Sequence, residues 1–300
     1  MLGLGLSITK GNPSGLESAV SVSYLLDDYS GAAAAYSLRK LYSSYSGSAI
    51  RVRREDTSIE QDIGFDASGN LDTSALATFC SGTNGFVTTW YDQASSNNVT
   101  QTSEPSQPKI YDSVSGLITE NGKPAMEFDG ANDGLNSSSD LRSTAGASTV
   151  IQVRNVDKAA GFQQPFVFYK IQRHVIERTG GTGYDNVSIS TNETSGEFMK
   201  FASADVTSQL LHFTTWDGST QTGGVDEVVL YENGSVVAGS ARISGFGITA
   251  SGTNSIGYRA DTNSQYCSGT FQEVIVYTSD ESSNRTGIET NINDFYSIYA

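Results

Sequence analysis

Charge is scarce in this 300-residue chain: Asp, Glu, Lys and Arg together make up 17% of it. Basic residues are scarcer still, 18 against 33 acidic ones, for a formal net charge of −15. Nucleic-acid affinity rests on Lys and Arg displacing counterions from phosphates, so a nucleic-acid partner is excluded. The two cysteines, Cys80 and Cys267, lie far apart and outside any C-x-x-C spacing. That excludes a cysteine zinc site and a disulfide framework, and two buried thiols are expected rather than a bridge. His174 and His212 are the only histidines, too few and too separated for a histidine metal site or a triad. Nucleophile-elbow, P-loop and dinucleotide-binding fingerprints are absent. No apolar run approaches the ~20 residues of a membrane helix, which excludes membrane insertion. The opening stretch, Met1 to Ile8, is apolar but has no basic region before it, so no secretion signal is expected.

What is abundant points one way. Hydrophobic residues make up 37% of the chain, with 15 Tyr, 13 Phe and 31 Gly, and Ser, Thr and Asn fill much of the remainder. From Pro108 onward, runs of four to eight β-branched or aromatic residues alternate with Gly, Asn, Asp and Ser clusters, the pattern of an all-β sandwich. Strands are expected around 126–128, 148–153, 165–170, 174–178, 186–190, 198–202, 210–215, 227–232, 255–259 and 270–277. Ile50 to Arg54 and Phe86 to Asp92 read as earlier strands.

Three helical stretches are expected. Ala35, Leu38, Leu41, Tyr42 and Tyr45 recur at three and four residues, predicting an amphipathic helix between 32 and 45. Asp72 or Thr73 caps a short helical stretch up to Cys80. After Ser282 or Ser283, the residues Ile288, Ile292, Phe295, Tyr296 and Tyr299 fall on one face, predicting a terminal helix docked on the sheet. Residues 1–30 read as an N-terminal arm outside the main core, serving assembly, and 31–300 as one sandwich domain.

Several of these segments resemble a known family. Ala35-Tyr-Ser-Leu-Arg-Lys-Leu-Tyr-Ser-Ser-Tyr-Ser-Gly, Arg51-Val-Arg-Arg, Thr78-Phe-Cys, Val87-Thr-Thr-Trp-Tyr-Asp-Gln and Asn98 resemble, in order, the catalytic domain of fungal α-L-arabinofuranosidase B enzymes. Asn121-Gly-Lys-Pro-Ala and Gly269-Thr-Phe-Gln-Glu resemble later parts of the same domain. The C-terminal half, with Phe128-Asp-Gly-Ala-Asn-Asp and the closing Gly-Thr-Phe-Gln-Glu-Val-Ile-Val-Tyr, is also similar to laminin-G-like modules of phage and marine bacterial proteins. Both resemblances imply a concanavalin-like β-sandwich, or jelly roll, with short peripheral helices and a C-terminal helix. A shared fold hosts unrelated activities, so the chemistry has to come from a site.

In the arabinofuranosidase family the nucleophile is a Glu on a strand shortly after a His, and the acid/base is an Asp in the Gly-rich loop before Gly-Thr-Phe. The resemblance places these roles on Glu177, after His174, and on Asp261. A retaining pair would stand about 5–5.5 Å apart. Two residues separate His174 from Glu177 where the family has one, and strand alternation then puts the two on opposite faces. The family's Cys-Cys substrate platform has no counterpart at Gln163-Gln164-Pro165-Phe166.

Sugar recognition draws on flat aromatic faces and on Asp and Asn groups in loops. Tyr258, Tyr266, Trp216 and Tyr184, with Asp92 and Asn98, are the candidates, and Tyr258 and Tyr266 are expected to be exposed. Trp90 sits inside an apolar strand and is expected in the core. Asp129, Asn132 and Asp133 offer hard oxygen ligands, making Ca²⁺ the one candidate cofactor. Asx residues are also common turn formers, which is the plainer role for these three.

The leading expectation is a structural, lectin-like attachment module of a phage virion, homo-oligomeric, contacting carbohydrate and other virion or surface-assembly subunits. The alternatives are a retaining glycoside hydrolase of α-L-arabinofuranosidase type and a scaffold without ligand. The expected location is the virion, or else the extracellular space.

Overall fold

The computed structural model of the chain describes residues 23–137, 141, 147–157, 163–168, 172–179, 182–189, 196–202, 208–217, 228–246, 253–260 and 263–300. They open with helix α1 (Leu25–Asp28) and strands β1 (Ala32–Ser37), β2 (Ile50–Arg54) and β3 (Glu60–Ile63). Helix α2 (Thr73–Phe79) precedes β4 (Gly85–Trp90), β5 (Val99–Thr100), a 3-10 turn (Glu104–Ser106) and β6 (Lys109–Asp112). Short strands β7 (Gly116–Leu117), β8 (Thr119–Glu120) and β9 (Lys123–Pro124) lead to β10 (Met126–Asp129) and β11 (Leu135–Ser137).

The remainder comprises β12 (Ser148–Val156), β13 (Gln163–Phe168), β14 (Gln172–Thr179), β15 (Thr182–Ile189), β16 (Gly196–Ala202) and β17 (Leu210–Trp216). β18 (Val228–Glu232), β19 (Ser235–Val237), β20 (Gly239–Phe246), β21 (Asn254–Ile256), β22 (Ser268–Tyr277) and helix α3 (Arg285–Tyr296) complete it.

Pairing is antiparallel throughout the described strands, and β4 is where the two layers of the β-sandwich part. Its first residues pair with β6, which continues through β10 to β22, β12, β17, β18 and β19. Its last residues pair with β5, which continues through β11, β21, β13, β14, β15 and β16 to β20. One strand thus feeds both layers.

The layer built on β22 is buried on both faces. Phe271, Val274 and Val276 enter the core between the layers, while Ile275 and Tyr277 enter a second core on the outer side. This second core is closed by Ile288, Ile292 and Tyr296 of α3 and by Leu25 and Leu26 of α1. Each fully buried large side chain contributes roughly 1.5–3 kcal/mol, so the helix holds the sheet rather than decorating it. Leu25 and Leu26 bring residues of the expected arm into this core; residues 1–22 lie outside those described.

One helical expectation is corrected. Residues 32–45 are no helix: Ala32–Ser37 form β1, paired with residues 273–277 of β22. Ala34 and Tyr36 point into the inner core and Ala35 into the outer one. A strand buried on both faces shows no polar alternation, and of the residues whose three-and-four spacing suggested a helix only Ala35 lies in β1, Leu38, Leu41, Tyr42 and Tyr45 following in the connection to β2. The other two helices form where expected. Asp72 caps α2 by accepting the Ala75 N–H at 2.9 Å, whereas the N-cap of α3 is Asn284 rather than a serine.

β1, β22 and α3 are joined by a buried charge network. Arg39 donates to both carboxylate oxygens of Glu273, at 2.8 and 3.1 Å, and to Asn291 Oδ1 at 2.9 Å. Ser37 Oγ and Tyr296 Oη donate to the same carboxylate. Every strong group in this network has a partner, which is the condition for an ion pair to survive burial. Cys80 and Cys267 are buried and not joined in a disulfide, and burial pushes the Cys80 thiol up to about 11.

Candidate functional site

The strand pairings set β14, which contains Glu177, and β21, which precedes Asp261 in sequence, on the two edges of β13. In β14, Ile176 pairs with Gln163 of β13, and Glu177 pairs with Tyr184 of β15. On its other edge β13 pairs with β21, Phe166 opposite Ile256, and the Gly257 N–H donates to Pro165 O at 2.8 Å. The Glu177 end of β14 and the turn after β21 therefore flank the same end of β13, two strand spacings or ~10 Å apart. Arg259 and Ser264 exchange hydrogen bonds of 2.8 and 3.2 Å at the base of that turn. Asp261, between them in sequence, and the side chains of Glu177 and Tyr184 lie outside the described residues.

β13 is irregular where the pairs meet. Its register with β14 shifts between Gln163 and Phe166, a bulge of the kind that re-aims side chains near functional sites. Gln163 is spent on backbone: its side-chain amide donates to Asp157 O and its Oε1 accepts the Ser268 N–H at 2.8 Å.

The aromatic expectations divide. Tyr258 is buried, 7% exposed, rather than open. Its ring stacks on Tyr266 at 5.5 Å with an interplanar angle of 2°, and its hydroxyl accepts from Asn136 Nδ2 at 2.9 Å. Gly134 lies against the ring so closely that a Cβ there would stand 2.1 Å from it. Tyr258 is therefore the inner member of the stack, and the half-buried Tyr266 is the outer one. Trp216 is also buried, its side chain packed with Phe201, Val228 and Leu230. Trp90 lies in the inner core as expected.

Asp92 and Asn98 turn out to be framework. The Asp92 carboxylate accepts the N–H groups of Ala35, Ala94 and Asn97 at 2.8, 2.9 and 3.1 Å, and the Ser95 hydroxyl. Asn98 Oδ1 accepts the Asp92 N–H at 3.0 Å. Gln93 ties in Leu41, Ser37 and Arg39. The Trp90-Tyr-Asp-Gln segment thus stitches the end of β4 to β1, with four donors taken up by the Asp92 carboxylate.

Asp129 is likewise a turn former, its Oδ1 accepting the N–H groups of Ala131, Asn132 and Asp133 at 2.8, 3.1 and 3.4 Å. With those bonds made, Asn132 sits inside the turn, and no group of three or more His, Cys, Asp or Glu side chains converges on a metal position among the described residues. Asp133 differs. It is buried, and its Oδ2 accepts only the Asp129 N–H, at 3.0 Å. Burial and the neighbouring Asp129 and Glu127 push its carboxyl up to about 7.

Asp133 opens onto a cleft of about 520 Å³ that the sequence did not reveal. A single cross-strand row forms its floor: Arg53 of β2 pairs with Phe86 of β4, Phe86 with Lys109 of β6, and Lys109 with Glu127 of β10. Residues paired in register project to one face of a sheet, so four strands distant in sequence present one polar and aromatic strip. Arg53 donates to Gln107 Oε1 at 2.7 Å and lies over the Phe86 ring at 5.3 Å. Glu55, Asn84, Glu104, Pro105 and Asp129 complete the walls. The sequence signals at this cleft were Arg53, a charged residue in the alternating strand Ile50 to Arg54, and the loop carboxylates Asp129 and Asp133.

Residues 27–123 match the family described as Alpha-L-arabinofuranosidase B, catalytic. No curated protein matches the chain. Among solved structures, an arabinofuranosidase complexed with arabinofuranosyl-α-1,2-xylobiose is 19% identical, with a TM-score of 0.63 over 89% of this chain and 64% of that one. A GH54 α-L-arabinofuranosidase soaked with a cyclic sulfate inhibitor is 17% identical, with a TM-score of 0.59 over 92% and 65%. A mutant GH54 α-L-arabinofuranosidase soaked with 4-nitrophenyl α-L-arabinofuranoside is 18% identical, with a TM-score of 0.61 over 92% and 65%. The chain thus spans 64 to 65% of the length of these three proteins.

At such identities the likeness shows the fold, the β-sandwich described above. Of the two resemblances read from the sequence, these matches bear on the arabinofuranosidase one; none of them is a virion or laminin-G-like protein.

Proposed function

We propose that the chain is a retaining glycoside hydrolase of α-L-arabinofuranosidase type, with Glu177 as nucleophile and Asp261 as acid/base. The observation that carries this reading is the meeting of the Glu177 end of β14 and the Arg259–Ser264 turn at one end of β13. The family match over 27–123 and the shared sandwich support it.

In this reaction the Glu177 carboxylate attacks the anomeric carbon as the glycosidic C–O bond breaks, and Asp261 gives its proton to the departing oxygen. Asp261 then takes a proton from water, whose oxygen displaces Glu177 from the sugar and releases arabinose. Both groups return to their starting states. Gln163 to Phe166 stand where the family has its Cys-Cys platform, so the floor under the sugar is built differently here.

The test is release of 4-nitrophenol from 4-nitrophenyl α-L-arabinofuranoside by the purified chain. Wild type is expected to turn over, and Glu177→Gln to lose about 10³-fold or more in kcat, as for the loss of a covalent nucleophile. No release by wild type, or equal rates for the two proteins, overturns the proposal.

A further inference from the structure

The 520 Å³ cleft lies within the roughly 300–1,000 Å³ range of small-molecule sites, and no step of the proposed reaction uses it. Its lining mixes both signs of charge on a rigid base. Arg53 is 5% exposed and fixed by Gln107 and Phe86. Phe86 and Lys109 are partly open, and Glu127 is exposed. Exposure therefore rises along the row from Arg53 to Glu127.

That arrangement selects by chemistry. The carboxylates of Glu55, Glu104, Glu127 and Asp129 repel a phosphate or other anion. Arg53 and Lys109 stand against a cation. A neutral polyhydroxylated ligand meets neither penalty, because each hydroxyl both donates and accepts. It can pair with guanidinium, ammonium, carboxylate and amide groups while a ring face lies against Phe86. Asp133, held protonated up to about pH 7, adds a carboxyl that can donate.

The cleft also has a direction. Asp129 and Asp133 form one of its walls, and the next residue, Gly134, packs against the Tyr258 ring of the turn after β21. Asn136, two residues further, donates to the Tyr258 hydroxyl. The 129–136 segment thus separates the cleft on one side from the Tyr258–Tyr266 stack on the other.

We propose that the cleft formed by Arg53, Phe86, Gln107, Lys109, Glu127 and Asp133 binds a neutral oligosaccharide. Its further assignment, as the seat of the sugar chain that bears the cleaved arabinofuranosyl branch, rests on the hydrolase reading above.

The test is isothermal titration of the full chain with xylotetraose, a neutral, unbranched oligosaccharide. Wild type is expected to bind. Phe86→Ala is expected to bind about tenfold more weakly, and Glu127→Ala about threefold more weakly. Glu127 is exposed, so its variant keeps the fold even if the Phe86 variant does not. Absence of binding to wild type, or the same affinity in Glu127→Ala and in a folded Phe86→Ala, overturns the proposal. Hydrolysis of 4-nitrophenyl α-L-arabinofuranoside by wild type reads the catalytic proposal separately. Xylotetraose binding without hydrolysis would keep the cleft as a saccharide site and remove the hydrolase assignment.

Discussion

The loop after β4 and the loop after β10 each hold a buried aspartate, Asp92 and Asp133, within a run of Asn, Ser or Gly residues. Asp92 accepts four hydrogen bonds from four different residues. Asp133 accepts one backbone N–H and faces Asp129 and Glu127. The first carboxylate is consumed in holding β4 to β1. The second keeps acceptor capacity at the wall of a cleft, with its proton retained towards neutral pH. Residue type and burial are shared, so the number of donors each loop supplies is what separates framework from binding surface. The Arg39–Glu273 pair belongs with Asp92, closed on every side.

Two substitutions sharpen that contrast. The larger effect is expected for Asp92→Ala, which strands the Ala35, Ala94 and Asn97 N–H groups; a loss of about 3 kcal/mol in urea unfolding is expected, and a change under about 0.5 kcal/mol, the scale of an ordinary surface substitution, would contradict a framework role.

Asp133→Asn is expected to act the other way and to depend on pH. The folded-state carboxyl titrates near 7, above its unfolded value, so the folded protein holds an extra proton between about pH 4 and 7. The stability from that proton is fully present below about pH 4 and is lost as pH rises through 7. Removing the titration should therefore raise stability at pH 8 by on the order of 1–2 kcal/mol and leave it nearly unchanged at pH 4. An equal effect at both pH values would show that the Asp133 carboxyl is not raised by its burial and acidic neighbours.

Much of the fold was legible from short-range pattern. The strand runs after Pro108, the Asp72 cap and the apolar face of α3 are local signals, and the structure follows them. Within the misread segment, 32–45, residues Ala32–Ser37 form a strand because β22 supplies a partner more than 200 residues away, which periodicity within one window cannot register. Tyr258, expected to be exposed, is buried for a related reason: Tyr266 stacks on its ring and Gly134 of a distant segment lies against it. The cleft was illegible because its floor is one residue from each of four strands. Arg53, Phe86, Lys109 and Glu127 become neighbours only once registers are set. The resemblance carried the strand bearing Glu177, but its most visible motif, Trp90-Tyr-Asp-Gln, proved to be scaffold.

The most direct measurement of the central claim is a crystal structure of the Glu177→Gln protein soaked with arabinofuranosyl-α-1,2-xylobiose. The arabinofuranosyl ring is expected between residue 177 and Asp261, whose side-chain amide and carboxyl groups would stand about 5–5.5 Å apart, with the xylose units directed toward the Asp133 cleft. Side chains of 177 and 261 on opposite faces of the β14–β13–β21 sheet, with the sugar bound elsewhere, would contradict it.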